Sequence, residues 1–116
     1  MKNILINKEL AFTNVVVPTT FWQRARGLIG QKALNSDDAM WFDNCSSVHM
    51  FGMQFALDIV FLDNNNRVMK VVENLKPWQV AMAMGAKRVV ELKSGICTQK
   101  GIVSGDQFSL ISEATK

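Results

Sequence analysis

What this sequence has little of narrows its class before any residue is placed. Its two cysteines, Cys45 and Cys97, are too few for a disulfide framework and form no CxxC pair, so free thiols in a reducing cytoplasm are expected. No stretch reaches the roughly eighteen apolar residues that a membrane span needs. The apolar run at the start is broken by Asn3, Asn7, Lys8 and Glu9, before it reaches signal-peptide length. There is no dense basic stripe either. The 13 Lys plus Arg stand against 10 Asp plus Glu and are spread from Lys2 to Lys116, so nucleic acid is not the expected partner. Gly95, Gly101 and Gly105 are too loosely spaced for a phosphate loop. One histidine and two distant cysteines show none of the usual zinc-ligand spacings, and neither a metal nor a cofactor is expected.

What is present suffices for a folded unit. Of 116 residues, 48% are hydrophobic, enough for one domain to build a core without disulfides or metals. Residues 1–116 are read as that single domain, with the polar tail 112–116 expected to fray. Repeats, low-complexity tracts and linkers are absent from the sequence.

Residues 3–17 hold two short β-branched and apolar runs around the polar pair Asn7–Lys8, which predicts a hairpin or two consecutive strands. Pro18 suits the first turn of a helix, on which Phe21, Ala25 and Leu28 would form one stripe with Trp22 and Ile29 beside it, closed by Gly30. "AMWF" at 39–42 reads as a strand. Two more at about 55–63 and 67–75 are joined by the Asn64–Asn66 turn, whose residues tolerate left-handed backbone. "WQVAMAM" at 78–84 is ambiguous between strand and loop. "KRVVEL" reads as a strand, "SGICTQKG" as a turn or a single helical turn, and "QFSLI" as the last strand. Short strands with frequent turns predict a mainly β domain, a small barrel or sandwich, with one helix packed at an end or edge.

Candidate chemistry centres on "VHMFGMQFALDIVFLD", residues 48–63. Both faces of that strand are apolar, so Asp58 is a carboxylate in a poorly hydrated place and needs a partner: Arg24, Arg26, His49 or backbone N–H groups. It is either an anchor holding a helix against the sheet or an acid that contacts a ligand. A lone histidine among Val48, Met50 and Phe51 is more often a core residue than a catalyst. Cys45, His49 and Asp58 do supply the residue types of a thiol nucleophile, base and orienter, although no cysteine-hydrolase signature surrounds Cys45. Arg24 and Arg26 point to nearly opposite sides of the expected helix and cannot form one clamp. Glu91 interrupts "VVEL" as Asp58 interrupts its own strand. Asp106 is expected to close a turn through its side chain, and Trp41 and Trp78 suit either the core or an aromatic-lined surface.

The blocks "RARGLIG", "SVHMFGMQFALDIVFLD", "VVEL" with Gly95, and "GIVSGDQ" resemble, in order, the motifs of the domain of unknown function 192 family, over about residues 10–111. The resemblance implies a compact, mostly β, barrel-like fold and no agreed activity. It implies family positions at Arg24, His49, Met53, Asp58, Glu91, Gly105 and Asp106. The chain departs from the pattern at Met50, Gln54, Ala56 and Gln79, and the changes at Gln54 and Gln79 remove two positions where relatives often carry arginine.

These readings converge on a small binding module for a small molecule or a peptide segment, with a site around His49, Met53, Asp58 and Trp78. The alternatives are a hydrolase using Cys45 and His49, and an interaction domain that pairs through an exposed strand edge. Arg24, Cys45, Glu91 and Asp106 are further candidates, structural or in the site. A monomer or weak homodimer with no membrane or nucleic-acid partner is expected.

Overall fold

The structure, a computed structural model, describes residues 2–18 and 34–112. The helix expected after Pro18, and Arg24 and Arg26 with it, lie outside the described residues. In chain order the elements are β1 (Lys2–Ile6), β2 (Glu9–Val16), β3 (Asp38–Asp43), β4 (Ser47–His49), β5 (Leu57–Leu62), β6 (Val68–Leu75), β7 (Val80–Met82), β8 (Arg88–Lys93), α1 (Ile96–Lys100) and β9 (Phe108–Ser112). No helix among the described residues is long and apolar enough to cross a membrane.

Residues 3–17, expected as a hairpin or two consecutive strands, form a hairpin, and so do the strands joined at Asn64–Asn66. β1 and β2 pair antiparallel through Asn7 and Lys8, which have φ of 50° and 71°, the two left-handed positions that a tight primed turn demands. β5 and β6 pair antiparallel with Leu62 opposite Val68. All six residues of β5 are buried, as its two apolar faces require.

Seven strands form one sheet in the order β6-β5-β8-β3-β2-β1-β9, and β4 with β7 forms a separate two-stranded arm. β2 and β3 are parallel; the other neighbours run antiparallel. The sheet's two outer strands meet at one corner. Arg67 bridges Gln107, and the N–H groups of Val68 and Phe108 donate to the carbonyls of Asp106 and Asn66, each at 2.9 Å.

The barrel expected from the sequence is not closed, because β6 and β9 do not pair beyond that corner. The chain between β8 and β9 occupies the outer edge of β6 instead. Ser94 Oγ donates to Asn74 Oδ1 at 2.9 Å, Thr98 Oγ1 bonds the Glu73 carboxylate, and Ser104 Oγ donates to the Val68 carbonyl at 3.3 Å. α1, the segment read as a turn or a single helical turn, belongs to this filler.

Alternation along the strands divides the buried residues between two cores. Ile4, Phe12, Ala39, Trp41, Val60, Leu62, Val90, Leu92 and Phe108 pack with Ile96 and Cys97 of α1 in one. Met40, Phe42, Leu57, Ile59, Phe61 and Val89 form the other, which the arm covers with Val48, Met50, Met53, Ala81 and Ala83.

Candidate functional site

Asp58 is fully buried and lies on the face of β5 that points toward α1. Its Oδ1 accepts the Asn74 N–H at 2.8 Å, and its Oδ2 accepts the N–H groups of Gly95 and Cys97, each at 3.0 Å. Gly95 is the N-cap of α1 and supplies no side-chain cap of its own. A helix start leaves backbone donors without partners, and here a carboxylate from a neighbouring strand takes two of them. Three charge-assisted bonds offset the cost of burying the charge. Asp58 is thus bound up in architecture, and its partners are backbone N–H groups rather than His49.

Cys97 sits beside it. Burial pushes its thiol up strongly, and the Asp58 carboxylate, by charge and by hydrogen bond, and Glu73 push further in the same direction. A thiol so held is a weak nucleophile.

His49 lies elsewhere, on the arm, where β4 pairs with β7 in the register Ser47–Met82, Val48–Ala81, His49–Val80. In an antiparallel pair, residues of one parity share a face. Val48 and Ala81 turn inward to the core, and Ser47, His49, Val80 and Met82 turn outward. The same register carried past the strand ends places Phe51 across from Trp78, whose ring centroids are 5.6 Å apart; the His49 ring lies 4.9 Å from that of Phe51. The outward face therefore carries an apolar ladder, with Ser47 and His49 beside it. Trp78 is 68% exposed, Met82 60%, Val80 59% and Phe51 47%, with Met84 at 92% beyond them.

Backbone hydrogen bonds fix the end of this ladder. The Met50 carbonyl accepts the Trp78 N–H at 2.9 Å, and the Met50 N–H donates to the Gln79 carbonyl at 2.8 Å. Residues 76–79 form a tight turn in which the Lys76 carbonyl accepts the Gln79 N–H at 3.1 Å. Pro77 takes the second position and Trp78 the third with φ of 71°, the conformation of a type II turn, where glycine or asparagine is usual. A bulky residue held left-handed costs about 1–2 kcal/mol, and this one gives most of its surface to solvent.

The remaining candidates fall into separate places. Met53 is buried beneath the arm. Cys45 is a half-exposed free thiol whose Sγ donates to the Ser47 carbonyl at 3.2 Å. Its thiol is engaged with that carbonyl two residues before His49, whose ring lies instead against Phe51. Asp106 closes its turn, accepting the Val103 N–H at 2.9 Å and the Asn7 side-chain amide at 3.1 Å. Glu91 is half-buried on β8 between Ile59 of β5 and Met40 of β3, and burial raises its carboxyl to about 7. Trp41 belongs to the core, its indole N–H donating to Asp43 Oδ1 at 3.1 Å.

Of the four candidates read together from the sequence, His49 and Trp78 lie along the ladder, whereas Met53 and Asp58 are buried apart from it; Phe51, Val80, Met82 and Met84 are not among those candidates. The available signal was the alternation of Trp78, Val80, Met82 and Met84 with the small Ala81 and Ala83.

Residues 3–110 match the profile of domain of unknown function 192, described as uncharacterised. A curated relative, a UPF0127 protein from Thermococcus sibiricus, is 30% identical over 115 residues, covering 90% of this chain and 73% of the relative. Among solved structures, a protein of unknown function from Novosphingobium aromaticivorans superposes with a TM-score of 0.80 at 23% identity, covering 93% of this chain and 82% of that one. A candidate transcription regulator from Sinorhizobium meliloti superposes with a TM-score of 0.77 at 19% identity over 94% and 93% of the two chains. Both structural likenesses are likenesses of fold.

Proposed function

This chain belongs to the domain of unknown function 192 family, and from that membership, which brings a fold and no activity, we propose a binding module that takes a peptide segment on the outer face of the β4–β7 arm. One observation carries the reading. An arm that covers a core on one side is expected to be polar on the other, yet this arm turns Phe51, Trp78, Val80 and Met82 to solvent. Contiguous exposed apolar surface of this kind marks an interaction site more often than scattered residues do.

Two further features support it. Trp78 keeps its exposed position at the expense of backbone strain, a cost that persists where function requires it. The ladder extends past both ends of β7, from Trp78 in the turn before it to Met84 beyond it, an elongated strip that suits an extended segment better than a compact metabolite. The two free thiols, Cys45 and Cys97, support a reducing, cytoplasmic setting.

The test is selection of a random-peptide display library on the folded protein, with counter-selection on Phe51→Ser/Trp78→Ser. Recovered peptides are expected to perturb NMR signals of Phe51, Trp78, Val80 and Met82. Recovery only of peptides that bind both proteins equally would remove the ladder as the site.

A further inference from the structure

We propose that the segment bound on the ladder is acidic, with carboxylates alternating with or flanking its apolar side chains. This rests on the binding-module reading and adds the charge of the partner. Neither residues 44–57 nor residues 76–88, which build the arm and its approaches, contain an aspartate or a glutamate. Three exposed lysines border the same stretch. Lys70 Nζ donates to the Met82 carbonyl at 3.0 Å, which places an ammonium beside the middle of the ladder. Lys76 opens the turn that carries Trp78, its N–H donating to Gln79 Oε1 at 2.8 Å. Lys87 follows Met84 at the other end, its carbonyl accepting the Cys45 N–H at 3.1 Å and its N–H donating to the Leu62 carbonyl at 2.8 Å.

An apolar strip bordered by lysines, with no carboxylate in either of its own segments, is complementary to apolar side chains set among carboxylates. Such complementarity selects partners and speeds encounter more than it adds raw affinity. A second copy of this chain is a poor occupant, because two such faces bring lysines against lysines. An extended segment spaces alternate side chains at about 7 Å, the spacing of Val80 and Met82 on β7, so apolar residues can seat on the ladder and leave carboxylates free to reach the lysines.

The experiment measures affinity for the selected peptides, as synthetic peptides, at low and high salt. The proteins are wild type, Phe51→Ser/Trp78→Ser and Lys70→Ala/Lys76→Ala/Lys87→Ala. All substitutions are at exposed positions, and thermal unfolding checks that each variant folds. Peptides enriched in Asp and Glu are expected, with affinity that falls as salt rises and falls about tenfold in the triple lysine variant, the sum of three exposed ion pairs. Neutral or basic peptides that need Phe51 and Trp78 and bind the lysine variant undiminished overturn the acidic partner and leave the binding module standing. Absence of any peptide that depends on Phe51 and Trp78 overturns both. Sedimentation with phosphatidylglycerol vesicles is the final arm: capture stronger than by any selected peptide, and lost in Phe51→Ser/Trp78→Ser, overturns the peptide in favour of an anionic lipid surface.

Discussion

Asp58 Oδ2 accepts the Cys97 N–H at 3.0 Å across 39 residues of chain, and this bond, with those to Gly95 and Asn74, ties the start of α1 to β5, the strand next to the sheet's edge. Asp58→Ala takes the acceptor from three backbone donors, of which the Cys97 N–H is buried and those of Asn74 and Gly95 are partly so, at about 1–3 kcal/mol for a buried donor and less where water reaches it. A loss of about 4 kcal/mol of stability is expected in urea unfolding. Asp58→Asn, which retains one acceptor oxygen, is expected to lose about half of that. A loss under about 0.5 kcal/mol, the range of ordinary surface substitutions, would show that the bonds do not hold the fold.

Glu91 gives the fold a pH dependence of defined sign. Its carboxyl is raised from 4.5 to about 7 by burial, so between those values the unfolded chain releases a proton that the folded one keeps. The contribution to stability is complete below about pH 4.5 and is lost as pH rises through about 7. The melting temperature of Glu91→Gln, relative to wild type, is expected to climb across that interval and to level off above it. A constant difference between the two proteins would contradict the assignment.

The two thiols are expected to react at very different rates. Cys45 is half-exposed, whereas Cys97 is buried and held as a thiol beside Asp58. Titration with a coloured disulfide reagent at neutral pH should give one rapid equivalent that disappears in Cys45→Ser, with the second released only by denaturant. Rapid modification of Cys97 in the folded protein would contradict its burial.

Trp78 offers a test of the strained turn that is independent of any ligand. Trp78→Gly and Trp78→Ala both remove the ring, but only glycine is at ease at φ of 71°. The glycine variant is expected to be more stable by about 1 kcal/mol, the reverse of the usual order in regular structure. Alanine equal to or better than glycine would mean that the turn does not hold this conformation.

The local parts of the fold were legible because their signals are local. Asn7–Lys8 and Asn64–Asn66 mark hairpins by residues that accept left-handed backbone, and the two-sided apolar pattern of residues 55–63 announced a strand covered on both faces. The open sheet was not legible. Whether β6 meets β9 depends on what Ser94, Thr98 and Ser104 do at the edge of β6, and no periodicity reports that. Asp58 was recognisable as a buried acid in need of partners, but donors at 74, 95 and 97 come from loops brought together only by the sheet. The arm is undecided between strand and loop in the sequence because "WQVAMAM" alternates large against small residues, Trp78, Val80, Met82 and Met84 against Ala81 and Ala83, rather than apolar against polar. The apolar-polar alternation that marks a half-buried strand is missing from the very segment whose outer face is the candidate site.

The pairing of β1 with β9, which sets Lys2 opposite Ser112, has a consequence for synthesis. The sheet's first strand finds its outer neighbour only when the last strand has left the ribosome. Until then the N-terminal hairpin presents an unpaired edge, the kind of surface that recruits other strands. Pairing between strands so far apart in sequence forms slowly, so the outer edge of β1 stays open through most of the chain's synthesis.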